Sequence, residues 1–236
     1  MTGRQFDHAL PVALAFCAGF IEAITFTGLY HTFVTFITGT LMVMVIDLVT
    51  GEAGALNKAV VVAAFFVFSV VWLFLSRDVR HGRGDRRWLF LGAEGVAILV
   101  FALLATLLAP YLSAGSSATL IVSVAAIVAM SLHSVMFFTM LGSSAPSHFM
   151  TGNLTQFCRG LIDQIAPVGD MRPSAEDRAA TAHRVRHFPL VIASFVAGVA
   201  AGVSLFVAFS FAVLAIPGLI LLLCAAFARR AWATAG

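Results

Sequence analysis

Charge is scarce in this chain. Only 11% of its 236 residues are Asp, Glu, Lys or Arg, against roughly 25% in a soluble domain. Lysine is almost missing, with Lys58 alone beside 13 arginines. Cysteine occurs three times, at Cys17, Cys158 and Cys224, in or beside apolar runs and without the close spacing of a metal site. The sequence also lacks strand-like alternation: 60–75 and 88–108 are continuously apolar, which argues against a transmembrane barrel. With 61% hydrophobic residues and a mean hydropathy of +1.00, the chain cannot be a water-soluble globular domain. Its formal charge of +3 is carried by short arginine stretches between apolar runs. That is the pattern of cytoplasmic loops beside anionic lipid, so no nucleic-acid partner is expected.

What is present is a series of eight apolar segments, roughly 10–29, 33–49, 58–76, 88–109, 118–141, 149–163, 188–206 and 209–228. A helix crosses a hydrocarbon core of about 30 Å with roughly 20 residues. The first run begins near Ala9 after a weakly basic start and lacks a cleavage site, so it is expected to be retained. Two segments suit a full lipid-exposed crossing poorly. The second is short and carries Thr35, Thr38, Thr40 and Asp47; the sixth contains Asn153, Gln156 and Arg159.

An internal repeat organises these segments, over approximately 10–77 and 118–206 of a single transmembrane domain, 1–236. Phe36-Ile37-Thr38-Gly39-Thr40-Leu41 matches Phe149-Met150-Thr151-Gly152-Asn153-Leu154, each following a histidine, His31 or His148. Upstream, Gly19-x-x-Glu22-Ala23 aligns with Met130-x-x-His133-Ser134; downstream, Ala63-Ala64-Phe65-Phe66 aligns loosely with Ala193-Ser194-Phe195-Val196. The repeated unit is helix, polar turn, Thr-Gly segment, helix.

Positive charge discriminates between topologies. With eight crossings and Arg159 set aside, basic residues divide 8 against 5, and a five-arginine loop is exported. If both Thr-Gly segments are re-entrant, the division becomes 12 against 1, with Lys58 the exception. The expected fold is therefore an all-α membrane protein with six crossing helices and two re-entrant half-helices in an inverted repeat, both termini cytoplasmic. Seven or eight full transmembrane helices are the alternative. The loop 164–187 is expected to be cytoplasmic, with an N-cap at Ser174 and a short amphipathic helix ending before Pro189.

Several residues are candidates for a polar site. Glu22 lies deep in the first run, where a carboxylate must face the protein interior, either as a proton carrier or substrate contact or as a structural hydrogen-bonding acid. His133, its repeat-mate, would form a proton relay with Glu22 if the repeat brings them together; otherwise it is a hydrogen-bonded core histidine. Thr38, Gly39, Thr40, Thr151, Gly152 and Asn153 would line a pore or bind substrate where half-helix N-termini offer backbone amides, or else serve as buried caps. Arg159 either attracts an anion or pairs with Asp163. His31 and His148 are candidate gates or ordinary interfacial residues. Glu94 is expected to be structural, pairing with Arg86 or Arg87. Gly198-x-x-x-Gly202 permits close helix approach, within the bundle or between protomers.

The motifs Gly19-Phe-Ile-Glu22-Ala23, Thr38-Gly39-Thr40, Ser131-Leu-His133 and Thr151-Gly152-Asn153 resemble those of the YoaK-like family of small bacterial inner-membrane proteins, a domain of unknown function. The glycine-bearing stretch 193–202 resembles the family's late helix. The resemblance covers nearly the whole chain and implies a multi-pass protein of the bacterial inner (cytoplasmic) membrane, with a permease among its candidate roles. Glu22, Thr40 and His133 stand where the family carries Asp, Asn and Gln, so a different ligand is expected if those positions touch one.

The functional expectation is a secondary transporter or channel for a small polar solute, with an anion or weak acid among the candidates, and its site at mid-bilayer between the repeats. The alternative is a non-transporting scaffold or accessory protein. No cofactor is expected, and no catalytic constellation argues for an enzyme. The partners expected are lipid and a small molecule or ion, with a homo-oligomer compatible with the apolar exterior.

Overall fold

The computed structural model describes residues 3–77, 86–139, 150–165 and 175–233. The described residues form eight α-helices and no strand: α1 (Gly3–Gly28), α2 (Ile37–Thr50), α3 (Ala55–Leu75), α4 (Arg87–Leu108), α5 (Ser117–Thr139), α6 (Met150–Ile165), α7 (Ala175–Phe209) and α8 (Ala215–Ala233). Short 3-10 turns at Ala109–Tyr111 and Ser210–Leu214 follow α4 and α7. Helices are what an apolar solvent demands, because they satisfy their backbone polar groups internally. Buried hydroxyls follow the same logic: Thr25 and Ser134 donate to the carbonyls of Glu22 and Met130, one turn back.

Five stretches are long and apolar enough to cross a membrane: His8–Gly28, Ala55–Leu75, Arg87–Tyr111, Ser117–Phe138 and Val185–Trp232. The chain is thus a helical membrane protein. The last stretch contains both the apolar part of α7 and α8, joined by the second 3-10 turn. The two helices carrying the Thr-Gly elements are short, with 14 residues in α2 and 16 in α6. At about 1.5 Å per residue they reach roughly 21 and 24 Å, less than the hydrocarbon core.

Helix α1 is the buried centre, and α7 is its principal partner. The two approach until a Cβ on Gly19 would overlap the carbonyl of Phe195, and one on Gly198 would overlap the carbonyl of Phe16. Gly202 meets Phe20 in the same way. The small-residue stripe therefore serves packing inside the bundle, where glycine lets two backbones come into van der Waals contact. Helix α4 lies against α8 and α5, α3 against α5, α2 against α3, and α6 against α7.

The helix ends gather at two opposite faces. At the first, the Phe6 ring meets Trp232 at 5.7 Å, the Arg87 guanidinium lies 4.2 Å from the centre of the Trp232 ring, and Arg229 lies 5.1 Å from that of Trp88. At the second, the Tyr30 hydroxyl donates to Leu112 O at 3.0 Å, and Asn57 Nδ2 donates to Ser116 O at 3.0 Å. Lys58 Nζ binds Asp47 Oδ2 at 2.7 Å beside them, tying the last turn of α2 to the first of α3. Lys58, the outlier in the charge count, is buried and neutralised by this partner.

One expectation needs correction. Pro189 does not end an amphipathic helix; α7 runs unbroken from Ala175 through Pro189 to Phe209. Proline removes one backbone hydrogen bond and bends a helix, yet the surrounding turns and the long contact with α1 keep the segment helical. Residues 166–174, the rest of that loop, lie outside the described residues.

Gly198→Leu should destabilise the protein by at least about 2 kcal/mol, since the added side chain must displace the α1 backbone. The loss would appear as a lowered unfolding midpoint in detergent. Asp47→Leu alone should cost about 3–5 kcal/mol by stranding the Lys58 ammonium, whereas Asp47→Leu with Lys58→Met should recover most of it. Equal losses for the single and double variants would contradict this account of the pair.

Candidate functional site

The site begins at a buried carboxylate. Glu22, six residues before the end of α1, is only 6% exposed. Its Oε2 accepts hydrogen bonds from the Val34 amide (3.3 Å), the Thr35 amide (3.0 Å) and the Thr35 hydroxyl (2.8 Å), while Oε1 accepts one from the Phe36 amide (3.2 Å). All four groups donate, so Glu22 acts as a four-fold acceptor that caps the approach to α2 from a different helix. Phe36, the residue at the cap position, has no side-chain oxygen to do this itself. Thr40 completes the fastening: its hydroxyl donates to Phe33 O at 2.6 Å and accepts from the Phe33 amide at 2.8 Å.

This loop forms one wall of a cavity of about 580 Å³. Among the described residues its polar lining is Glu22, Thr35, Thr38, Ser134 and Thr151. The remainder is apolar and mainly aromatic: Phe33 and Phe36 from the loop, Phe65 and Phe66 from α3, Phe138 from α5 and Phe195 from α7, with Ile37 and Met150. The first turns of both Thr-Gly helices therefore border one space. The amides of Gly39 and Thr40 bond to Phe36 O. Those of Ile37 and Thr38 have no protein acceptor among the described residues, and both residues line the cavity.

The structure separates the sequence-selected residues into three groups. Glu22, Thr38 and Thr151 line the cavity. Gly39 and Thr40 are buried behind the wall, Gly39 so closely under the Phe33 and Phe36 rings that a Cβ would strike them. Asn153 is buried with Nδ2 4.0 Å from Met150 Sδ, and Gly152 is exposed; neither lines the cavity. Arg159 also lies outside it, with 67% of its side chain exposed and Nε 3.9 Å from Asp163 Oδ2. Its nearest acidic group is thus the i+4 neighbour on its own helix. His31 is exposed, with a backbone φ of 61° and its ring 4.9 Å from that of Phe26. His148 lies outside the described residues.

His133 corrects two expectations at once. It does not bond to Glu22; its Nδ1 lies 2.6 Å from Glu94 Oε1, and both side chains are fully buried. Glu94 accordingly does not pair with Arg86 or Arg87. The sequence places Glu94 only one to two turns into α4, but in the bundle α5 offers it an imidazole there, which removes the need for an interfacial cation. His133 faces α4, so that the next residue, Ser134, faces the cavity. Glu94 Oε2 has no hydrogen-bond partner among the described residues.

Sequence reasoning missed Thr35 as the principal partner of Glu22, and it missed the phenylalanine lining. Thr35 lies outside the Thr-Gly motif, and phenylalanine in an apolar run looks like any lipid-facing residue. The loose alignment of Phe65 with Phe195 was the available signal, since both reach the cavity. No group of three or more His, Cys, Asp or Glu side chains among the described residues is placed to hold a metal ion.

The model of a family described as "Protein of unknown function (DUF1275)" matches residues 10–227. The match agrees with the resemblance carried by Glu22 and the two Thr-Gly motifs. No curated protein and no solved structure matches the chain.

Glu22→Gln should cost about 1–3 kcal/mol of stability, because an amide presents one acceptor oxygen to four donors and turns an N–H₂ toward backbone amides. Thr35→Val should cost less, about 1 kcal/mol, because it removes one donor and leaves the amides in place. Thermal unfolding of the purified variants measures both.

Proposed function

The chain belongs to the DUF1275 family, and we propose from its geometry that it moves a small polar solute across the membrane, as a secondary transporter or channel. The solute would be held in the Glu22 cavity between two re-entrant Thr-Gly half-helices. The observation that carries this reading is the shared cavity: Thr38 at the start of α2 and Thr151 at the start of α6 border the same space as Glu22. A hollow of this size inside a helix bundle is costly unless it holds something, because the surrounding side chains could otherwise close on it.

Re-entry of α2 is supported by its two ends. Its approach is bonded to Glu22, six residues or roughly 9 Å inside α1. Its last turn is held by Lys58 at the face where α1 ends. Re-entry of α6 is supported by Met150 beside Phe195 at the cavity and by Phe157 in a cluster with Phe188, Val191 and Ala15, nearer the start of α7. On this reading the half-helices leave toward opposite faces, as in an inverted repeat. The face that holds Arg77, Arg86, Arg87, Arg229 and Arg230 is then the cytoplasmic one.

The lining refines the solute. Neither arginine nor lysine lines the cavity among the described residues, and the Glu22 carboxylate already occupies the approach to α2. A full anion is therefore a poor fit. The amides of Ile37 and Thr38 suit a hydrogen-bond acceptor, and the phenylalanines suit an apolar or aromatic body. A small uncharged solute with one carbonyl or hydroxyl group, including a weak acid in its neutral form, matches both.

Flux of a panel of such solutes into proteoliposomes tests the function. Ser134→Trp and Thr151→Trp, which fill the cavity, should reduce uptake at least about tenfold while the protein remains folded. Uptake at the wild-type rate in both would defeat the proposal. For topology, with the native cysteines replaced, Ser113→Cys should react with an impermeant maleimide from outside whole cells and Arg77→Cys only after permeabilisation.

A further inference from the structure

A second hollow, of about 370 Å³, lies at the other end of α1, away from the solute cavity. Among the described residues it is lined by His8 of α1 and by Ala182, Arg186, His187 and Leu190 of α7. The His8 and His187 rings stand 6.3 Å apart. Arg186 is exposed, and no carboxylate among the described residues pairs with it. The hollow sits where the apolar stretches His8–Gly28 and Val185–Trp232 both begin, so it lies at the boundary between hydrocarbon and water.

That placement joins two chemistries. A guanidinium beside two imidazoles offers forked N–H donors matched to phosphate oxygens. Leu190, 58% exposed, and Ala182 give an apolar wall leading toward the hydrocarbon. A cation at the headgroup level attracts anionic groups, and a lined hollow around it adds shape to that attraction. We propose that this hollow binds an anionic phosphate group, as a phospholipid headgroup or as a free phosphate, with Arg186 the principal contact and His8 and His187 flanking it. The site is independent of the transport reading, since it shares no residue with the solute cavity.

The test uses the full chain, purified and stripped of lipid by detergent exchange, and followed by native mass spectrometry. Phosphatidylglycerol and inorganic phosphate are titrated separately into wild type, Arg186→Gln, Arg186→Lys and the double variant His8→Gln, His187→Gln. A first saturable adduct that weakens at least about tenfold in Arg186→Gln, and less in Arg186→Lys, supports the site. Dependence seen with phosphatidylglycerol identifies a lipid source, and the same dependence with inorganic phosphate alone identifies a soluble one. Failure of both probes to bind, or binding of equal strength in wild type and in every variant, overturns the proposal. Unfolding midpoints of the four proteins confirm that any weakening is not loss of fold, and Arg186→Lys keeps the test open should Arg186→Gln be unstable.

Discussion

The rest of the structure depends on the grip of one carboxylate on three successive backbone amides. Without Glu22, residues 34–36 would expose unsatisfied N–H groups in a low-dielectric interior, and each would cost free energy that apolar packing cannot return. With it, the chain turns inside the bundle and begins α2 there. Thr40 closes the same loop on Phe33, so the Thr-Gly motif contributes a small residue under two rings and a hydroxyl that fastens them. The motif's conspicuous polar residues are therefore mostly fasteners, and the cavity is a consequence of where they hold the loop.

A second constraint works beside the first. Helix α1 can carry Glu22 to the centre only because Gly19, Gly198 and Gly202 let α7 lie against it backbone to backbone. Two other buried ionisable side chains follow one rule: each finds a partner on a neighbouring helix. Lys58 meets Asp47, and His133 meets Glu94. Such pairs are poor sources of net stability and strong specifiers of register, since a displaced helix would leave a charge alone. The unpartnered Oε2 of Glu94 marks the one point among the described residues where a buried carboxylate falls short of that rule.

The cavity combines these constraints. Its polar groups come from α1, the loop, α2, α5 and α6, and its phenylalanines from elements far apart in the chain. Arg159 lies outside this lining, with its side chain exposed. Among the described residues Arg77, Arg86, Arg87, Arg229 and Arg230 collect at the face where α1 begins and α8 ends, where the hollow beside His8 and Arg186 also lies.

The all-helical class, the approximate bounds of most segments, the membrane setting and the family resemblance were legible in the sequence, because each rests on local hydropathy and motif order; α7, which begins at Ala175 and not near residue 188, was the exception among the described residues. Glu22, Thr38 and Thr151 were legible as site candidates because a polar group in an apolar run stands out wherever it falls. Partner choice was not: His133 and Glu94 are 39 positions apart, and only the packing of α4 on α5 brings them within 2.6 Å. The persistence of α7 through Pro189 and the burial of Lys58 were decided in the same way. Hydropathy fixes which segments leave water, since that depends on each residue's own solvation. Which polar groups then meet depends on how the helices cross, and that is set by close contacts such as Gly198 against Phe16 that exist only once the bundle has formed.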